Sequence, residues 1–127
     1  MVGLLVVSHS ETAAEGIVEV AAEMGSETQI EAVGGDGEGG IGTVPDDIED
    51  GLVAADDGDG VVLLVDLGSA VMNAEVAMET SDVETVIADS PILEGAVNAA
   101  VAATAPNATL ESVREQAEAA RGVDKLS

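Results

Sequence analysis

Cysteine, phenylalanine, tryptophan and tyrosine are absent from this 127-residue chain, and histidine occurs once. The lack of cysteine excludes disulfides, thiolate nucleophiles and cysteine-held metals. Without aromatic rings there is no platform on which the bases of a single-stranded nucleic acid can stack. Positive charge is almost as scarce. Arg114, Arg121 and Lys125 face 26 Asp and Glu, for a formal net charge of −23. Such a chain repels a phosphate backbone, which excludes nucleic acid as a partner. No apolar run approaches the roughly 20 residues of a membrane span, and no basic segment precedes the first apolar run as in an export signal. A cytoplasmic protein without membrane association is expected, and the sequon "NAT" at Asn107 is then a chance match, because glycosylation needs export.

What is present is aliphatic. Val, Leu, Ile, Ala and Met must build the whole core. The acids are spread along the chain between apolar periodic segments, unlike an acidic disordered tail, which pairs high charge with low hydrophobicity. This composition suits a globular protein adapted to high salt, where counter-ions screen self-repulsion, with a general solubility device as the alternative. The length fits one domain, expected over residues 1–122, followed by a flexible tail at 123–127.

Residues 2–7, "VGLLVV", read as a strand buried on both faces. Residues 11–24 place Ala14, Ile17, Val18, Ala21 and Met24 at helical spacing. Further strands are predicted at "TQIEAV", "VVLLVDL" and "VETVIA". Helices are predicted at "DDIEDGLVAA", "SAVMNAEVAMET", "PILEGAVNAAVAAT" and "ATLESVREQAEAARG", the third opening on Pro91 as a first helical residue. The alternation predicts an α/β fold, a mainly parallel central sheet with helices on both faces. Ligands of such sheets bind beyond the carboxyl ends of the strands. Three segments meet that edge: "SHSE", the glycine-rich "GGDGEGGIGTVP" and "DLGSA".

His9 stands at the end of the first strand and the mouth of the first helix, flanked by Ser8 and Ser10. An imidazole near neutral pH is a nucleophile, and a helix N-terminus stabilises an anionic group attached to it. Metal binding is disfavoured, since one imidazole among scattered carboxylates has no ligand spacing. The glycine loop contains a formal GxGxxG at Gly35, Gly37 and Gly40. It follows the wrong strand for a dinucleotide site, and Asp36 and Glu38 would repel a pyrophosphate. It is either a flexible turn or, through "GGIGT", a source of backbone N–H groups and a hydroxyl for a phosphoryl oxygen. Asp66 can accept a hydrogen bond from one nitrogen of His9, fix its tautomer and free the other nitrogen. The bland role for Asp66, capping the next helix, falls more naturally to Ser69.

His9 after an apolar strand, then "GGIGT", "DLGSAVMNAE" and "PILEGAVNAA", resemble in order the mannose-type IIA domains of the phosphoenolpyruvate:sugar phosphotransferase system. Within that superfamily the chain is most similar to the phosphotransferase subunits of dihydroxyacetone kinase. The resemblance implies an α/β sandwich, a homodimer, and no tightly bound cofactor beyond a phosphoryl group on His9. It implies that His9 is phosphorylated by the phosphocarrier HPr and passes the group to ADP on the subunit DhaL. The resulting ATP then serves dihydroxyacetone bound to DhaK. Asp66 matches the carboxylate partner, and Ser10, Gly40, Thr43 and Ser69 fall around the phosphoryl site. Val44 departs from the family, whose loop often continues from threonine to serine. With no HPr-like or enzyme I-like segment in the chain, separate partners are expected. A IIA component of a sugar-importing system, and a non-catalytic nucleotide-binding module using the glycine loop, are the alternatives.

Overall fold

The computed structural model describes residues 1–126; the part of the expected tail at Ser127 lies outside them. Strands and helices alternate as β1 (Gly3–Ser8), α1 (Glu11–Met24), β2 (Ile30–Gly34), α2 (Pro45–Ala55), β3 (Val61–Val65), α3 (Gly68–Thr80), β4 (Thr85–Ala88), α4 (Ile92–Ala102) and α5 (Leu110–Glu118). A 3-10 turn over Ala119–Gly122 ends the last helix. The four strands form one wholly parallel sheet in the order β2-β1-β3-β4.

Each face of the sheet is covered, giving three layers. Leu4, Val6, Val62 and Leu64 pack under α1, α4 and α5, whose contact surface is mostly alanine: Ala14, Ala21, Ala96, Ala99 and Ala117. Leu5, Val7, Val61 and Leu63 point the other way, toward Ile48 and Leu52 of α2 and Ala70, Ala74 and Ala77 of α3. Alternation along each strand sorts these residues to the two faces. β1 is buried along its full length, which explains why its sequence is a continuous apolar run. In the absence of aromatic side chains, small residues let the helices approach closely. A Cβ on Gly25, at the end of α1, would lie 2.4 Å from the carbonyl oxygen of Ala100 in α4.

This connectivity fixes the position of the chemistry. β1 and β3 are neighbours, but the helix that follows β1 lies on one face and the helix that follows β3 lies on the other. The two chains diverge beyond the strands and leave a crevice between them, the switch point at which open α/β sheets bind ligands. The last paired residues are Val7 and Val65, so His9 and Asp66 are the first side chains past the strands on either side of the crevice.

Several boundaries shift from the sequence reading. α3 begins at Gly68 with Leu67 as its N-cap and has no side-chain cap, so Ser69 lies inside the helix rather than capping it. Pro91 is the N-cap of α4 rather than its first residue, and its carbonyl accepts the N–H of Gly95 at 2.8 Å. α5 is capped by Thr109, whose hydroxyl accepts the N–H of Ser112 while the Ser112 hydroxyl accepts the N–H of Thr109. Beyond it, Arg121 lies 3.5 Å from Asp89, and Lys125 lies 2.6 Å from Glu94.

Candidate active site at the switch point

Asp66 is tied to β1 before it meets the imidazole. Its N–H donates to the carbonyl of Val7 at 3.2 Å, extending the sheet by one bond. Its Oδ2 accepts the Ser8 hydroxyl and the His9 backbone N–H, both at 2.9 Å. Its Oδ1 lies 3.0 Å from His9 Nδ1. Burial pushes the Asp66 carboxyl up, but the His9 N–H, the imidazole and the Ser8 hydroxyl together outweigh it and hold the group below its ordinary value. The carboxylate is therefore ionised near neutral pH and accepts only.

That decides the tautomer. A ring nitrogen facing an ionised carboxylate must carry the proton, so in the neutral imidazole Nδ1 is N–H and Nε2 keeps its lone pair. Nε2 has Ser69 Oγ at 2.8 Å, and to that neutral ring the hydroxyl is the donor. Both the His9 and the Asp66 side chains are 20% exposed, so the ring is held by its inner edge and reaches solvent with its outer one. α1 begins two residues after His9 and α3 two residues after Asp66, which sets two positive helix ends beside the ring. Among the described residues no group of three or more His, Asp or Glu is arranged to hold a metal ion.

The glycine loop joins this site through main chain. Gly34 closes β2 so near the turn after β1 that a Cβ there would lie 2.7 Å from the carbonyl oxygens of both Ser8 and Ser10. The N–H of Gly42 donates to the carbonyl of His9 at 2.9 Å. Thr43 Oγ1 accepts from Asn73 Nδ2 of α3 at 2.5 Å. Asp36 turns its carboxylate into the loop, where Oδ1 accepts the N–H groups of Glu38 at 2.8 Å and Gly40 at 2.9 Å. These bonds, led by that from Glu38, lower the Asp36 carboxyl below its usual range. The left-handed backbone at Gly35, Gly37 and Gly39 lets the chain fold around that carboxylate.

Of the six residues singled out in the sequence, His9, Asp66 and Ser69 meet directly. Thr43 is linked to them only indirectly: Gly42, before it, donates to the His9 carbonyl, and Asn73, which donates to its hydroxyl, lies one turn after Ser69 on α3. Gly40 has its N–H on Asp36, and the Ser10 hydroxyl caps α1 by accepting the N–H of Ala13 at 3.2 Å. Ser8 and Asn73 were missed. Asn73 had a readable signal, since it lies four residues after Ser69 and so one turn along the same helix face.

Comparison with known proteins identifies the family and the fold. Residues 3–114 match the family model described as the PTS system fructose IIA component. The phosphoryl donor subunit DhaM of PEP-dependent dihydroxyacetone kinase 2 from Listeria innocua is 38% identical over 106 residues, covering 80% of this chain and 85% of the relative. The phosphotransferase subunit DhaM of PTS-dependent dihydroxyacetone kinase from Lactococcus lactis is 34% identical, covering 91% and 93%. A DhaM from Providencia stuartii is 33% identical over 94% of this chain, which there corresponds to only 27% of the relative. Among solved structures, a protein of unknown function superposes with a TM-score of 0.80 at 30% identity over 92% of both chains. The phosphotransferase system component EIIA of Streptococcus agalactiae shares the fold, with a TM-score of 0.70 at 15% identity over 99% of this chain and 98% of its own. With a family match that runs through both sides of the crevice, from β1 into α5, the chain belongs to the mannose-type IIA family of the phosphotransferase system, alongside the DhaM subunits.

Proposed function

We propose that this protein is the phosphoryl-donor subunit of a phosphoenolpyruvate-fed dihydroxyacetone kinase, and that it works through phosphohistidine at Nε2 of His9. The observation that carries this reading is the division of labour on the ring, with Nδ1 held by Asp66 and Nε2 left to one exposed serine. In the loading step the Nε2 lone pair attacks the phosphorus of phospho-HPr. The donor's P–N bond breaks and its electron pair returns to the HPr imidazole. The Nδ1 proton stays with the ring, where the Asp66 carboxylate stabilises the positive charge that develops. In the unloading step an oxygen of ADP on DhaL attacks the same phosphorus, the Nε2–P bond breaks, and Nε2 regains its lone pair. ATP so formed phosphorylates dihydroxyacetone on DhaK.

The charge distribution supports a carrier rather than an enzyme that grips its substrate. Arg114 pairs with Glu111 and Glu118, Arg121 with Asp89, and Lys125 with Glu94. Among the described residues no cation is bonded to the site, so a loaded phosphoryl group rests on hydroxyls, backbone dipoles and helix ends, and remains easy to surrender. These partners place the protein in the cytoplasm, and no helix among the described residues is long and apolar enough to cross a membrane. The homodimer and the high-salt setting belong to the same reading, the first from the resemblance and the second from the net charge of −23.

Incubation with phosphoenolpyruvate, enzyme I and HPr, followed by intact-mass measurement, tests the loading step. The wild type gains one acid-labile phosphoryl group and His9→Ala gains none; label retained by His9→Ala sinks the proposal. The family description, a fructose IIA component, favours one second reading, transfer to a sugar-importing permease. Adding DhaL with ADP separates the two, since only the kinase subunit discharges the loaded protein there.

A further inference from the structure

We infer that Asn73 is a positioning residue for phosphoryl transfer: it engages the acceptor side of the Thr43 hydroxyl and so reserves that hydroxyl's proton for a group carried at Nε2 of His9. The inference rests on the reading of His9 as a phosphoryl carrier and adds a residue that neither composition nor motif had assigned.

The amide orientation is settled by its surroundings. Asn73 Nδ2 lies 2.5 Å from Thr43 Oγ1 and 3.3 Å from the backbone carbonyl oxygen of Thr43. A carbonyl oxygen accepts only, so the NH2 end of the amide must face Thr43. One amide group thus donates toward both the main chain and the side chain of the same residue. A hydroxyl that receives a donor on one lone pair cannot direct its own proton back at that donor. The Thr43 proton must point elsewhere.

The loop and α3 determine where elsewhere is. The N–H of Gly42, one residue before Thr43, is fixed to the carbonyl of His9 at 2.9 Å. Ser69, one turn before Asn73 on α3, touches Nε2 at 2.8 Å. Thr43 is therefore tied through Gly42 to the main chain of His9 and through Asn73 to the helix whose Ser69 meets Nε2. A phosphoryl group bonded to Nε2 brings three oxygens that need donors in a site with no bonded cation. Thr43, held as Asn73 holds it, supplies one hydroxyl donor and Ser69 a second. Orientation by a neighbour's hydrogen bond is the same device by which outer partners tune ligands at metal sites, where removal lowers function on the order of 10–100-fold.

Phosphoramidate is the probe, because it phosphorylates imidazole without a protein partner: Nε2 attacks phosphorus, the P–N bond breaks and ammonia leaves. The rate of His9 phosphorylation, and the lifetime of the product, are read by intact mass. Asn73→Ala should react more slowly, on the order of 10-fold, and Thr43→Val should match it, whereas Thr43→Ser should keep the wild-type rate. Adding Asn73→Ala to Thr43→Val should produce no further loss, because the two act through one hydrogen bond. The single imidazole gives one unambiguous NMR signature, and its Nδ1–H tautomer should be unchanged in Asn73→Ala. If Asn73→Ala does not fold, the Thr43 pair tests the same bond from its other end. A wild-type rate in Asn73→Ala or Thr43→Val, an additive double variant, or no reaction at His9 in any form overturns the inference. Failure of HPr to load the wild type, with this pattern intact, would instead remove the kinase reading alone.

Discussion

The Ser8 hydroxyl donates to Oδ2 of Asp66 at 2.9 Å, so the carboxylate that holds the imidazole is itself held by the last residue of β1. Ser8 is buried, and its Oγ also accepts the N–H of Ser10 at 3.1 Å. One hydroxyl thus links the strand, the carboxylate and the cap of α1. Ser8→Ala leaves the Ser10 N–H without its acceptor and removes one donor from Asp66. A loss of about 1–3 kcal/mol is expected, measurable as a lower urea midpoint at unchanged slope. The Asp66 carboxyl should titrate higher in the variant, which carbon-detected NMR reads directly. An unaltered midpoint and titration would reduce Ser8 to a passive core residue.

Asp66→Asn tests the other end of that linkage. The amide is close in shape but neutral, so it loses the preference for Nδ1–H and the stabilisation of positive charge on the ring. Loading by phospho-HPr should slow on the order of 10–100-fold while the fold persists.

The same variant carries a pH prediction. The Asp66 carboxyl is held below its ordinary value in the folded protein despite the opposing effect of burial. Its contribution to stability is therefore full above the ordinary carboxylate pKa and is lost as pH falls through the lower folded value. Wild type and Asp66→Asn should differ in Tm at pH 6 and converge toward pH 2. Comparing the pair cancels the relief of self-repulsion that acidification brings to the other acids. A gap that widens on acidification has the wrong sign.

Val44 is the N-cap of α2 and makes no side-chain cap bond. The serine often found there in the family would therefore serve the helix rather than a phosphoryl oxygen. Val44→Ser should stabilise the protein by about 1 kcal/mol, with loading of His9 unchanged. Faster loading without added stability would assign the hydroxyl to the site instead.

With a formal charge of −23, stability should depend strongly on salt. The Debye length is about 30 Å at 0.01 M and about 3 Å at 1 M, so only near neighbours repel one another at the higher concentration. Tm should rise steeply between these limits, and sucrose should not fully replace the salt. A flat profile would remove the high-salt adaptation and leave the chemistry of His9 untouched.

The parallel sheet and both of its covering layers were legible because buried strands such as "VVLLV" leave a continuous apolar run and the helices keep their spacing. His9 and Asp66 were legible because both stand where apolar runs stop. Ser69 was read in two ways, as the better-placed cap of the next helix because hydroxyls at helix starts usually cap them, and from the resemblance as a residue around the phosphoryl site. The chain had already turned into α3 by Gly68, which released Ser69 for Nε2. Asp36 was read as a charge that repels phosphate, and it keeps that charge; what composition does not display is that the loop's own N–H groups close on its carboxylate. Ser8 acts on a residue 58 positions away, and a single sequence has no mark for a bond of that span; Asn73 acts on one 30 positions away, and only its place one turn after Ser69 marked it.

Both main-chain polar groups of His9 are engaged, the N–H by Asp66 and the carbonyl by Gly42. Neither bond involves the nitrogen that would carry the load. Under the proposed function a phosphoryl group would therefore come and go while the peptide around it stays clamped, and the His9 and Gly42 amides should exchange with deuterium at the same slow rate loaded or empty. A partner approaching such a carrier would find the same backbone in either state. What it must sense to tell a full carrier from a spent one is the added group itself, its bulk and its negative charge at the rim of the crevice.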